Sequence, residues 1–219
     1  MPSPFDQSTY QVRLDWGTAG LARLAPADVV VVVDVLRFSS TVIDAVASGA
    51  EVRLAEAEGW SRNGAAVAAS ASSDATVLIG GIRNASAVAR AVQTIQERRQ
   101  ERTSVAVITA GEADAHGTLR FAVEDQLGAG AIILALSDRG IDHTAPDAAV
   151  AAEGFRALRG ALRHMVGASG SGRELTEGVA ATTRIEASGL VPTSTADAAS
   201  LDAVDVVPVL HEGSFTPFG

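Results

Sequence analysis

The chain has no cysteine among its 219 residues. That excludes a disulfide framework, a thiolate nucleophile and a cysteine-ligated zinc. It is also poor in basic residues, and its formal net charge of −9 argues against a general nucleic-acid binder, which needs a basic face to neutralise phosphate. Local basic clusters remain free to hold a small anion. No apolar run approaches the ~20 residues of a membrane span. The opening MPSPFDQSTYQVRLDW lacks the basic start and apolar core of a signal peptide, so a cytoplasmic protein is expected. No Gly-x-x-x-x-Gly-Lys phosphate loop occurs, and no Gly-x-Gly-x-x-Gly opens a helix after a strand. The four histidines (His116, His143, His164 and His211) have no close metal-ligand spacing and read as surface or loop residues.

What the chain does have is DVVVVVDVLRFSSTVIDAVASGA, Asp28 to Ala50. Five consecutive valines, Val29 to Val33, cannot alternate between core and water. They read as a strand buried on both faces, as in a parallel sheet covered by helices. Asp34 ends the run, and Ser39-Ser40-Thr41 look like the N-cap of a helix closing near Gly49. A carboxylate, the Arg37 guanidinium and three hydroxyls thus stand at the carboxyl end of a central strand. In open α/β sheets ligands bind at that edge, and a helix start favours anions.

Further strands are expected at Tyr10–Trp16, Glu51–Ala55, Ala75–Ile82 and Ser104–Thr109. In the first, Arg13, Asp15 and Trp16 read as the solvent face of an edge strand. Trp60 to Ser70 reads as an alanine-rich helix. Asn84 is placed to cap a long helix from Ala85 to about Glu101. A polar loop carries Asp114, His116 and Gly117, and Arg120 to Ala129 reads as a helix with Glu124 and Asp125 in its middle. A helix is expected from Asp147 to about Val166, a flexible loop over Gly167 to Gly172, and another helix opening at Arg173. Val206 to Leu210 reads as a strand that Pro208 places at an edge. The length fits most simply one α/β domain over residues 1–219, layered α/β/α around a largely parallel buried sheet, with two small lobes flanking a central cleft as the alternative.

Three strand ends carry polar tips: Asp34 to Thr41, Arg83-Asn84 and Glu112. If these strands are parallel neighbours, the tips share one rim. Arg37, the Ser39-Ser40-Thr41 and Asn84 helix starts, and Arg173 beside glycines supply what a phosphate requires. Asp34, Glu112, Glu124 and Asp125 are the oxygen ligands available to a divalent ion. Together they describe metal-assisted phosphoryl transfer. Adjacent helical residues point about 100° apart, so Glu124 and Asp125 cannot face one ion equally well. A haloacid-dehalogenase template fails, because the second position after Asp34 is Leu36 rather than Asp.

DVLRFSST, LIGGIRNASAVARA and FAVEDQLGAGA, followed by SGSGREL and VVPVL, resemble the 2-phosphosulfolactate phosphatase family from about Tyr10 to Leu210. The resemblance implies an α/β fold of its own kind and a Mg²⁺-dependent hydrolase. Its substrate would be the phosphate ester of a small sulfonated acid in coenzyme M biosynthesis. By resemblance Asp34 and Arg37 belong to the strand-end motif, Asn84 to the Asn-Ala-Ser motif, and Glu124 with Asp125 to the Glu-Asp motif. Ser169, Ser171 and Arg173 fall in the Ser-Gly-Arg-Glu segment. Asp34, Arg37 and Glu124 are therefore expected in catalysis. Ser39, Ser40, Thr41, Asn84, Ser171 and Arg173 are expected to bind substrate. Asp34, Glu112, Glu124 and Asp125 are expected to hold the metal. The chain departs from the family in the middle, where only Gly59 to Asp74 occupies a normally longer segment, and in having Thr109-Ala110-Gly111 where Cys-Ala-Gly is common. The alternative that follows is a catalytically degenerate anion- or phosphate-ester-binding protein on the same scaffold. Valine-rich strand edges are compatible with a homodimer.

Overall fold

A computed structural model describes residues 3–113, 118–178 and 180–219. The chain begins with Val12–Trp16 (β1) and Gly17–Arg23 (α1). The valine run is Val29–Val33 (β2), followed by a tight turn over Val35–Ser39 and by Ser40–Ala47 (α2). Val52–Arg53 (β3), Leu54–Trp60 (α3) and Gly64–Ser70 (α4) lead to Thr76–Gly80 (β4). Ala85–Arg99 (α5) and Val105–Thr109 (β5) follow, then the ribbon strands Glu112–Ala113 (β6) and Leu119–Arg120 (β7). Val123–Ser137 (α6), Pro146–Leu158 (α7), Leu162–Ala168 (α8), Gly170–Glu177 (α9), Ala180–Ala187 (α10) and Thr195–Ala198 (α11) make up the helical third. Pro208–His211 (β8) and Ser214–Pro217 (β9) end the chain.

Among the described residues the main sheet has seven strands in the order β1-β5-β2-β4-β8-β9-β3. The β1, β5, β2 and β4 strands run parallel, and β8, β9 and β3 continue the sheet antiparallel. The valine run explains the layering. Val29, Val31 and Val33 sit in one apolar cluster with Val88, Val92, Ile132 and Phe155, on the side of α5, α6 and α7. Val30 and Val32 sit in the other with Phe38, Val42, Ile43 and Val67, on the side of α2 and α4. A strand's side chains alternate between faces, so five valines in a row serve two cores. Register then aligns the strand ends, because Val33 stands opposite both Gly80 and Thr109.

Several local expectations are corrected. Arg13 is buried rather than on a solvent face, its guanidinium donating to the carbonyls of Tyr10, Ala25 and Pro26. The expected Trp60–Ser70 helix is two: Trp60 ends α3, and α4 starts at Gly64. A side chain at 64 would meet the Phe38 ring at 2.5 Å, so the chain must turn there with a bare backbone. The helix expected over Arg120–Ala129 starts only at Val123 and continues to Ser137, with Arg120 in the β6–β7 ribbon. Glu124 and Asp125 therefore lie in its first turn, where the helix dipole favours carboxylates. Gly167–Gly172 is mostly helical, with Ser169 capping α9 by accepting from the Gly172 N–H at 3.1 Å. Pro208 lies inside the sheet, since β8 pairs with both β4 and β9. As the first residue of its strand, it leaves no ladder hydrogen bond wanting. Asp114, His116 and Gly117 lie outside the described residues.

Helices α6 and α7 cross where α6 has no side chain. A Cβ on Gly130 would lie 2.2 Å from the Ala151 carbonyl oxygen. Gly154, on α7, has nothing within 4 Å of that position. Two Gly→Ala substitutions should therefore differ in sign. Gly154→Ala should stabilise by up to ~1 kcal/mol through helix propensity. Gly130→Ala should destabilise by about 1–3 kcal/mol through overpacking. Chemical denaturation of both variants checks this, and a stabilised Gly130→Ala would contradict the packing described.

Candidate active site

At the end of β2 the Asp34 carboxylate accepts two backbone N–H groups, from Phe38 at 3.3 Å and from Gly64 at 3.1 Å. The Asp34 N–H in turn donates to Ser39 Oγ at 2.9 Å, and that hydroxyl donates to the Val32 carbonyl at 3.3 Å. Ser40 Oγ donates to the Val35 carbonyl at 2.7 Å. The two serines thus shape the turn with their hydroxyls committed to backbone, and the side chain that caps its start is Asp34's. Thr41 is buried with its hydroxyl unpartnered. The Leu36–Arg37 peptide is cis. Burial pushes the Asp34 carboxyl up to about 6; the two backbone donors and the Arg37 charge oppose this, and Glu124 adds to it.

Asp125 reaches the same rim from α6. It accepts the Val35 N–H at 2.7 Å and the Gly111 N–H at 2.9 Å. Burial, then the charges of Asp34 and Glu124, hold its carboxyl well above the usual carboxylate range. This settles the geometric question left by the 100° step: Asp125 ties two loops together, and Glu124, 2% exposed, lines a small cleft of about 200 Å³ with Glu112, Arg120 and Ser171.

A larger cleft of about 390 Å³ opens over Asp34. Arg37, Trp60, Arg62, Glu174 and Arg184 line it, and Glu112 stands between it and the smaller cleft. Arg37 is mostly covered; one of its terminal nitrogens lies 3.5 Å from a Glu174 oxygen, while Nη1 is buried without a partner. Trp60 Nε1 is likewise a buried donor without an acceptor. Neither Arg62 nor Arg184 forms an ion pair among the described residues. Orphaned donors and unpaired guanidinium groups around one cleft want an oxyanion.

Of the three polar tips, Asp34–Arg37 and Glu112 share the cleft. Arg83 and Asn84 do not line it: Arg83 pairs with Asp44 at 2.7 Å. Asn84 is fully buried, accepting from the Gly81 N–H and donating to the Ile79 and Val206 carbonyls. It stands at the start of α5 but makes no side-chain cap there. Arg173 lines neither cleft and is exposed beside Glu177 at 3.8 Å. Trp60, Arg62, Glu174 and Arg184 were missed. Only Glu174 had a signal, its place in the SGREL segment. A still larger cavity, about 920 Å³, lies between the N-terminal segment and β1. The buried carboxylates do not line it, and its arginine, Arg23, is satisfied by Asp15 at 2.7 Å. Asp34 and the unpartnered donors of Arg37 and Trp60 belong to residues of the smaller space.

The four expected magnesium ligands gather on one rim but are held differently. Each oxygen of Asp34 and Asp125 accepts one backbone N–H, which leaves it a further lone pair, and Glu112 pairs with Arg120 at 3.2 Å. Among the described residues no group of three or more metal-ligating side chains is close enough to hold an ion.

A mixed sheet whose parallel strands end in buried carboxylates and unsatisfied donors defines an α/β protein with a polar cleft at that edge. The chain matches the family model of 2-phosphosulpholactate phosphatase over residues 60–213, and it belongs to that family. No curated protein matches it significantly. No helix of the described residues is long and apolar enough to cross a membrane.

Two stability measurements test this geometry. Asp125→Ala leaves two buried N–H groups without acceptors and should cost about 2–5 kcal/mol. A cost under ~1 kcal/mol would remove its tying role. For Asp34 the sign follows from the folded value of about 6 lying above the ordinary 3.8. The folded state then binds the proton more tightly, so stability falls as pH rises from about 4 to about 6. Asp34→Asn should gain on the wild type across that window, by roughly 3 kcal/mol at most, and stay level above it. A pH-independent offset in denaturant unfolding would contradict the assignment.

Proposed function

We propose that the chain is a phosphoric monoester hydrolase acting on a small phosphorylated acid, with 2-phosphosulfolactate the first substrate to test. The observation that carries the reading is the pairing, three residues apart on one turn, of a buried carboxylate whose pKa is raised to about 6 with a guanidinium whose Nη1 has no partner. Arg37 takes the phosphoryl oxygens and shares the charge that develops on them. Asp34 is ionised at neutral pH and orients the attacking water. As the water oxygen bonds to phosphorus and the ester P–O bond breaks, Asp34 accepts the water's proton. Solvent at the open mouth of the cleft protonates the departing oxygen, giving the alcohol and inorganic phosphate. Arg62 and Arg184 stand where the acid group of the substrate would lie. The magnesium dependence implied by resemblance is given no step in this scheme.

One observation favours a second reading, an anion-binding protein without turnover. Both Asp34 oxygens already accept backbone N–H groups, one of them from Gly64 in the shortened middle segment.

Phosphate release from a panel of phosphorylated acids, assayed with Mg²⁺ and with chelator, separates the two. The hydrolase reading expects release that Asp34→Asn lowers about 100-fold or more. It also expects an acid limb in kcat/KM near pH 6, with activity present above it. Arg37→Ala should weaken substrate binding. Chelator sensitivity would add a metal to the account, and insensitivity would remove it. Tight binding of the esters with no release would establish the binding protein instead.

A further inference from the structure

We propose that Glu174 is a built-in competitor for the substrate's anion, its carboxylate occupying on Arg37 the place that a phosphoryl group takes. The inference rests on the cleft being a phosphate site, as argued above. The contact between them is 3.5 Å, beyond the ~2.7–2.9 Å of a well-formed charge-assisted hydrogen bond. It engages one terminal nitrogen and leaves Nη1 buried and unpartnered. A guanidinium presents donors in a fork that a tetrahedral oxyanion fills with two bonds, so Glu174 satisfies Arg37 only in part.

The two side chains also differ in freedom. Arg37 is 13% exposed and held beside Asp34, whereas Glu174 is 42% exposed and opens to solvent. The helix carrying Glu174 is anchored. Ser169 Oγ donates to the Val166 carbonyl at 2.9 Å and accepts from Gly172. A Cβ on Gly172 would lie 2.1 Å from that carbonyl oxygen, so α9 cannot shift there without repacking. Glu174 therefore leaves by turning about its own side-chain bonds while Arg37 and α9 stay in place. An incoming phosphate displaces it, and after turnover it returns and displaces the product. Poorly charged anions do not compete with it. Glu174 is in this sense a specificity and release residue that never touches the reacting atoms.

The test is calorimetric titration of inorganic phosphate into the full chain. Removing the competing charge should tighten binding about two- to fivefold in both Glu174→Gln and Glu174→Ala, the range of an exposed ion pair. Where turnover is measurable, product inhibition should deepen by the same factor. Combined with Arg37→Ala, Glu174→Gln should give no gain, because the two act on one interaction. A residue that merely orients Arg37 would give the opposite sign. Unchanged or weaker phosphate binding in the Glu174 variants, with Arg37→Ala still abolishing it, overturns this inference and leaves the site intact. Wild-type phosphate binding that Arg37→Ala does not alter overturns the site itself, and this inference with it.

Discussion

The structure depends on one buried carboxylate with two duties. Asp125, in the first turn of α6, accepts the N–H that follows Asp34 and the N–H of Gly111, so a single side chain joins the carboxyl ends of β2 and β5 to a helix. Loops beyond parallel strands have no ladder to hold them, and their N–H groups must be satisfied otherwise. Here the satisfaction comes from a group that is charged when ionised. That choice fixes the turn carrying Asp34 and Arg37, and it places the Glu112 ribbon at the cleft wall.

The same choice creates the electrostatic tension of the site. Burial makes Asp34 and Asp125 each harder to ionise; the Glu124 charge adds to both, and the Asp34 charge adds to Asp125. Arg37 supplies the nearby positive charge, but it is only partly engaged. A fold built for stability alone would have filled this rim with apolar side chains. Keeping acids and an incompletely satisfied guanidinium there leaves an environment that an oxyanion improves. The Glu174 carboxylate, loosely set against Arg37, is the nearest substitute the chain has of its own.

Some of this was legible in the sequence for simple reasons. Five valines in a row can only belong to a doubly covered strand, and a polar tip after such a strand marks the binding edge of an α/β sheet. Asp34, Arg37 and Glu112 followed from that logic and do share the cleft. Ser39, Ser40 and Asn84 read as ligand groups because hydroxyls and amides at helix starts serve either the backbone or a ligand. Only three-dimensional partners decide between the two, and here the backbone takes them. The start of α6 differs because Phe121 continues the apolar spacing of Val123 and Leu127 back to the end of what is a short ribbon strand. The close approach of α6 to Val33 and Val35 at Gly128, and to α7 at Gly130, is a matter of tertiary contact, which one-dimensional periodicity does not encode. Trp60, Arg62 and Arg184 come from the end of α3, the loop after it and α10, segments distant in sequence that meet only in the fold, so no local pattern announced them.

The proposed site receives anions over Asp34 at Arg37, and not in the larger N-terminal cavity. A crystal structure of the protein with tungstate, a heavy phosphate mimic, tests it directly. The tetrahedral oxyanion should lie within hydrogen-bonding distance of Arg37 Nη1, with Glu174 turned away into solvent. Tungstate bound beside Arg23 in the N-terminal cavity, with the Arg37–Glu174 contact undisturbed, would contradict it.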